Sequence, residues 1–286
     1  MNDEVGATGA YASGTIGAAS SLVGGLRLPA DKSVAHRALL FNAMAEGEAE
    51  VTVARPGEDV LSMAHVLQAL GAVESISDGP AGFTRVRLHG GGTRKAAVLP
   101  GSGGETLDCG NAGTAMRLLI GALSGRPGRA TLVGDESLSG RPMERVAAPL
   151  RTVGAHIATE NGHAPIVVEG SRGLVATEHE LPVASAQVIG ALTLAGLAAK
   201  GTTTITSPGP TRDHTERMLA WLGAPVRREG YVTTVDGPIG FAARTIDVPG
   251  DISGAAAWLV AGALHPDAHI VIEEVGLNPS RTGIID

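Results

Sequence analysis

Apolar runs alternate along the chain with Gly-, Pro- and charge-rich breaks, and their period switches between helical and strand-like. The Ala/Leu-rich run from Ser33 to about Ala45 predicts a helix, and Glu50–Ala54, rich in Val and Thr, predicts a strand. A second helix is predicted from about Glu58 to Leu70-Gly71-Ala72, and Thr84–Leu88 closes the unit as a strand. The same order returns as Thr114–Leu123, Ala130–Val133, Pro142 to Val153-Gly154-Ala155 and Ile166–Glu169. It returns again as Ala186–Ala199, Thr202–Thr206, Asp213 to Leu222-Gly223-Ala224 and Val232–Val235. A glycine follows each second helix, as a helix C-terminal stop should. These glycines stand at 71, 154 and 223, which makes the repeats 83 and 69 residues long. Tandem units of this βαβ type predict an α/β fold with sheets covered by helices.

A fourth copy then begins, with a helix over Ser253–Leu264, a strand over Ile270–Glu274 and a loop over Val275–Gly283. Its opening, Val248-Pro249-Gly250-Asp251-Ile252-Ser253, echoes Leu28-Pro29-Ala30-Asp31-Lys32-Ser33 at an offset of 220 residues. The echo predicts a second half equivalent to the first, with less than one of its units lying before Asp286. Four regions are therefore expected: a disordered tail over 1–18, a crossing strand over 19–29 that belongs with the second domain, a three-repeat domain over 30–247, and an incomplete portion of the second domain over 248–286.

Composition narrows the chemistry. With 43% hydrophobic residues but only 2% aromatics, the core of this 286-residue chain must be built from Ala, Val, Leu and Ile. A net charge of −7 disfavours a general nucleic-acid surface, so any anionic ligand must be held by a local Arg/Lys cluster. Cys109 is the only cysteine, which excludes an intrachain disulfide and points to a reducing compartment. No apolar run approaches the ~18 residues of a membrane span. The first eighteen residues lack the basic start of a signal peptide, so a cytoplasmic protein is expected.

Each repeat opens its first helix at a polar cluster: Lys32-Ser33 with Arg37 one turn on, Asp108 to Thr114 with Arg117 one turn in, and Ser185-Ala186-Gln187. Ser33 is placed to cap the first of these helices. If the units pack side by side, the three N-termini present free amides and dipoles at one surface, as an oxyanion requires. Arg141 stands just before a helix whose first turn begins with Pro142, and Arg212 just before another. Guanidinium groups so placed suit carboxylate or phosphate. Plainer readings exist for each residue taken alone. The arginines can be solvated or ion-paired, Asn111 can serve as a turn residue, and Cys109 can be a small buried residue rather than a nucleophile. Metal-ligand spacings, a nucleophile elbow, a Walker A loop and a dinucleotide fingerprint are all absent, which disfavours a metal site and those competing chemistries.

Six stretches in this order, Leu28–Leu40, Asn111–Arg117, Gly140–Met143, Leu181–Gln187, Thr211–Met218 and Val248–Ser253, resemble the 5-enolpyruvylshikimate-3-phosphate synthases, closest to the bacterial second class. The resemblance runs from about Leu22 to Asp286. It implies a layered α/β fold, with an enolpyruvyl transferase-like domain of three βαβαββ repeats and the incomplete first repeat of a second equivalent domain. The implied reaction moves the enolpyruvyl group of phosphoenolpyruvate to the 5-hydroxyl of shikimate 3-phosphate, releasing phosphate, in aromatic amino-acid synthesis, with no metal or organic cofactor. Carried over by position, Lys32 would touch both substrates and is the one catalytic residue of the family's set found here. Ser33, Arg37, Ser185, Gln187 and Arg212 would bind shikimate 3-phosphate. Gly113, Arg141 and Gln187 would hold phosphoenolpyruvate, with Asn111, Thr114 and Arg117 in support. Leu118 departs from the proline of many members, and Ala186 from a second serine found in some.

The family's acid/base carboxylates would fall beyond Asp286. The chain alone is therefore expected to bind shikimate 3-phosphate weakly, to turn over nothing, and to need a complementing C-terminal half; otherwise a monomer is expected, with no nucleic-acid or membrane partner. Two rival readings remain. One is an enzyme like the UDP-N-acetylglucosamine enolpyruvyl transferases, although Ser137-Leu138-Ser139 stands where their reactive cysteine would be expected and Lys32-Ser33 replaces Lys-Asn. The other is a non-catalytic binding or assembly module.

Overall fold

The computed structural model describes residues 20–101 and 103–285, so the tail expected over 1–18 lies outside the described residues. The chain enters through β1 (Leu22–Arg27). The first repeat then comprises α1 (Lys32–Met44), β2 (Glu48–Ala54), α2 (Glu58–Ala69) and the hairpin β3 (Val73–Asp78) and β4 (Phe83–His89). The second comprises β5 (Glu105–Asp108), α3 (Gly113–Ser124), β6 (Gly128–Val133), the single turn α4 (Glu136–Ser139), α5 (Glu144–Thr152), β7 (His156–Glu160) and β8 (His163–Gly170). The third comprises β9 (Glu178–Glu180), α6 (Ala186–Gly196), β10 (Gly201–Thr206), α7 (His214–Trp221), β11 (Val226–Glu229) and β12 (Val232–Gly237). The chain then forms β13 (Ile246–Asp247), α8 (Ile252–Leu264) and β14 (Ala268–Glu273).

Each repeat builds one four-stranded sheet, ordered β13-β2-β4-β3, β5-β6-β8-β7 and β9-β10-β12-β11. In each, the opening strand runs parallel to the next and the closing hairpin runs antiparallel. The opening strand of the first sheet is β13, which arrives only after the third repeat. The domain is therefore closed on itself by Ile246 and Asp247, paired with Val51 and Thr52.

The first helix of each repeat is central. Every residue is buried from Ala35 to Met44 of α1, from Ala115 to Ser124 of α3 and from Val188 to Gly196 of α6. Such helices are apolar on all sides and can only be core elements. They are rich in Ala, Gly and Leu, which lets backbones approach closely. The ends of the three sheets clasp them in the same way. A side chain at Gly90, Gly170 or Gly237 would collide with the last carbonyls of α1, α3 or α6 respectively.

Several local expectations change. Helix α1 begins at Lys32 and is capped by Asp31 rather than Ser33; the Asp31 carboxylate accepts from the amides of Ser33 (2.7 Å) and Val34 (3.0 Å). The Asp31 amide is itself held by the Pro249 carbonyl at 2.7 Å, which fixes the cap one residue early. Pro142 lies outside α5, because the extra turn α4 takes up the chain before Glu144. Helix α6 stops at Gly196 instead of Ala199.

The two echoed segments meet. Asp31 donates to Pro249, Asp251 donates to Pro29 at 3.0 Å, and Asp251 caps α8 through the Ser253 amide at 2.8 Å. Beyond this crossing, β1 pairs in parallel with β14, and Leu28, Ile252 and Ala255 form a small core separate from the main one. Val23, Trp258, Leu264 and Val271 are exposed on these elements. Among the described residues, no helix is long and apolar enough to cross a membrane.

One buried ion pair ties β5 to the end of α3. Arg126, 2% exposed, donates to both oxygens of Glu105 at 3.1 and 2.9 Å and to the Pro100 carbonyl at 3.2 Å. The guanidinium holds the Glu105 carboxyl down to about 2. A depressed carboxyl stabilises the fold above its ordinary range near 4.5 and loses that contribution as pH falls towards 2. Glu105→Gln, which strands the buried charge of Arg126, is expected to cost about 3 kcal/mol at neutral pH. In urea unfolding, the gap to wild type should narrow steadily as pH is lowered below about 4.5.

Candidate functional site

Helix α1 delivers the first group of charges. Lys32 Nζ is ion-paired with the carboxylate of Asp59 in the first turn of α2. His36, fully buried, has its Nε2 3.8 Å from the same oxygen, beyond hydrogen-bonding distance. Burial pushes the His36 imidazole down, so it is neutral at neutral pH, while His36 and Lys32 hold the Asp59 carboxyl below the usual carboxylate range. Arg37, 4% exposed, donates from Nε to the Thr215 hydroxyl at 2.8 Å and from Nη1 to the Ser33 carbonyl at 2.9 Å. Burial lowers its pKa to about 10, offset by Glu216 and Asp31, so the guanidinium stays charged. Glu216 is fastened in turn by Arg228 at 2.9 Å and Thr233 at 3.1 Å. Arg212 stands exposed just before α7, close enough to oppose the charge on Arg37.

Helices α3 and α6 deliver the second group. Gly113, the first residue of α3, lies between two guanidiniums: a Cβ there would sit 3.0 Å from Nη1 of both Arg117 and Arg141. Arg141 donates to the Asn111 side-chain oxygen, and the Asn111 amide donates to Asp135 at 2.8 Å. Burial, then Arg145 and Arg141, lower the Arg117 pKa to about 10. Arg145 donates to Gln187 Oε1 at 3.2 Å, and Gln187 Nε2 donates to the Thr114 hydroxyl at 3.3 Å, joining α6 to α3. Ser185 caps α6 through the Val188 amide at 3.4 Å.

The two groups meet at the second turns of the central helices. A Cβ on Gly190 of α6 would lie 2.9 Å from Leu118 of α3, 3.0 Å from the Thr215 hydroxyl and 3.9 Å from Arg37 Nη2. Lys32, Ser33, Arg37 and Arg212 thus stand on one side, and Asn111, Gly113, Thr114, Arg117, Arg141 and Gln187 on the other, with Ser185 at the start of α6. The side-chain contacts of Arg37, Arg117, Arg141 and Arg145 are to neutral groups: hydroxyls, backbone carbonyls, Asn111 and Gln187. Guanidiniums gathered without carboxylates of their own create a demand for an anion. Arg145 escaped the sequence reading, although it follows Arg141 by four residues. Cys109 is fully buried and its thiol is pushed up to about 12, which removes it as a nucleophile.

The fold and this cluster define an α/β protein of three equivalent βαβαββ units, with cationic groups collected where the central helices begin. The sequence profile of EPSP synthase (3-phosphoshikimate 1-carboxyvinyltransferase) matches residues 16–286, and the chain belongs to that family. It is 46% identical over 270 residues to the 3-phosphoshikimate 1-carboxyvinyltransferase of Acidithiobacillus ferrooxidans, covering 93% of this chain and 60% of that protein. The Gloeobacter violaceus enzyme of the same name is 46% identical over 271 residues, covering 94% and 61%. The EPSP synthase structure from Acinetobacter baumannii superposes with a TM-score of 0.82 at 43% identity, over 92% of this chain and 57% of that one. The chain spans about three-fifths of the length of these relatives.

An unsatisfied cationic cluster should take up a small oxyanion. Inorganic phosphate at about ten times its dissociation constant is expected to raise the thermal midpoint by roughly 3 °C over chloride at equal ionic strength. In differential scanning calorimetry the rise should vanish in the double variant Arg37→Ala/Arg141→Ala; an undiminished rise would place the anion elsewhere.

Proposed function

We propose that this chain supplies the shikimate 3-phosphate site and one wall of the phosphoenolpyruvate site of a 3-phosphoshikimate 1-carboxyvinyltransferase. The observation that carries the reading is the gathering of Arg37, Gln187, Gly113 and Arg141 at the starts of the three central helices, with Arg212 near enough to oppose the charge on Arg37, in a chain matched by its family over residues 16–286. Both ligands are multiply anionic, and both would be met by helix N-termini and guanidiniums rather than by the field of a net-negative protein.

In the net proposed reaction, the 5-hydroxyl oxygen of shikimate 3-phosphate forms a bond to C2 of phosphoenolpyruvate, the bond from C2 to the phosphate oxygen breaks, and the hydroxyl proton leaves with the released phosphate. Arg37, locked by Thr215 and Ser33, and the exposed Arg212 hold the phosphorylated ring with Ser33, Ser185 and Gln187. Arg141, aimed by Asn111, holds phosphoenolpyruvate beside Gly113, whose lack of a side chain lets the Arg117 and Arg141 guanidiniums draw close, with Thr114 behind it. Lys32, resting on Asp59, turns its ammonium to the two substrates as their charge enters. Guanidiniums already oriented by neutral partners need little reorganisation when charge builds on the departing phosphate.

The exposed apolar residues of α8 and of the β1–β14 pair fit a further set of repeats packed against them. Such a complementing half would close the site and exclude water. Calorimetric titration is expected to show shikimate 3-phosphate binding to the chain; absence of binding by the wild-type chain overturns the reading. Thr215→Val, which leaves Arg37 Nε without its acceptor, should weaken that binding about five- to tenfold. Phosphate release from the two substrates should appear only on co-expression with the missing length of a relative. Binding with no phosphate release under those conditions would favour a non-catalytic module instead.

A further inference from the structure

We infer that Arg281 is a positioning residue for the anion site, acting through the helix cap Asp31. Its side chain is 10% exposed and lies between the two echoed caps, with Nη1 4.0 Å from Asp31 Oδ2 and Nη2 3.6 Å from Asp251 Oδ1. It also donates to the hydroxyl of Ser253. Asp31 uses its other oxygen to hold the amides of Ser33 and Val34, the turn that presents Lys32, Ser33 and Arg37. Asp251 accepts from the Ser253 amide at the start of α8 with the same Oδ1 that faces Arg281. One guanidinium therefore sets the caps of two helices on opposite sides of the chain crossing, and neither cap's own sequence supplies that charge.

The segment leading to Arg281 is fastened to a third helix start. Asn278 Nδ2 and the Ser280 hydroxyl donate to Asp213 Oδ1 at 2.8 and 2.9 Å, while Arg217 donates to Asp213 Oδ2 at 2.7 Å. Asn278 also lies 3.4 Å from Nδ1 of buried His214. Asp213 stands between Arg212 and the Thr215 that anchors Arg37. The segment 278–281 is thus a strap that ties the unit carrying β14 to the starts of α1, α7 and α8. A shift of that unit is passed to both arginine-bearing starts, because Asp213 is hydrogen-bonded to the strap and Asp31 faces its Arg281 as an ion pair at 4.0 Å, while each also holds a bond within the site's own framework.

Two readouts test this, only the second of which rests on the proposed substrate. In the ligand-free chain, Arg281→Ala should speed hydrogen exchange of the Ser33 and Val34 amides about tenfold, as loss of a helix cap does, while amides in the middle of α3 keep their wild-type rates. Arg281→Lys should recover part of the protection. Unchanged exchange at Ser33 and Val34, or equal acceleration throughout the chain, overturns the inference. In shikimate 3-phosphate titrations, Arg281→Ala and Asp31→Asn should each weaken binding about fivefold, and the double variant no more than either alone. Losses that multiply would show that Arg281 acts independently of the cap, which also overturns it. If the wild-type chain binds no shikimate 3-phosphate, the substrate reading falls, and the exchange measurement alone decides the role of Arg281. Should Arg281→Ala fail to fold, Arg281→Gln, which retains a donor for Ser253, takes both measurements.

Discussion

The structure depends on the burial of three helices on every side. Helices α1, α3 and α6 have no solvent face along most of their length, so apart from buried Asn42, Ser124 and Thr193 their polar side chains lie in their first two turns. Dense Ala and Gly content allows the backbones to approach, and the clasping glycines hold the far ends against the sheets. Function is thereby pushed to one end. The amides that open the helices, and the side chains of the first two turns, are the only polar groups the three elements can offer jointly.

This arrangement explains how a chain of net charge −7 gathers strong local positive charge. Elsewhere the arginines are neutralised close by: Arg126 by Glu105, Arg228 by Glu216, Arg227 by Asp236. At the helix starts they lean on hydroxyls, carbonyls and amides, which fix direction without cancelling charge. Lys32 differs, held by Asp59 and flanked by buried His36, as do Arg217, held by Asp213, and Arg281, which faces Asp31 and Asp251. Direction and charge are thus supplied by different partners, and the site is oriented before any ligand arrives.

Much of this was legible in the amino-acid order. Apolar periodicity located the starts of the seven longer helices among the described residues to within two residues, because polar or turn-forming residues precede each of them. The strands β5, β9 and β13 were not legible: at four, three and two residues they are too short to show alternation, and their pairing is set by the sheets they join. Asp31 and Ser33 are both good capping residues, and only the Pro249 carbonyl, 218 positions away by number, decides between them. Gly113 and Arg141 drew notice through local motifs, whereas Arg145 and Arg281 carry their meaning entirely through contacts distant in sequence. Local signals revealed the framework; long-range contacts, invisible to periodicity, decide how its charges are aimed.

The pairing of β1 with β14 brings Arg27 beside Glu273, 246 positions apart. During synthesis β1 precedes all three repeats and meets β14 only after they have been made. Each repeat meanwhile folds largely from contacts within itself, at low cost in loop closure. For the whole of that interval β1 is an open strand edge carrying Leu22, Val23 and Leu26, the kind of edge that pairs with other chains. Among the described strands, the pairing that waits longest for its partner is therefore that of β1.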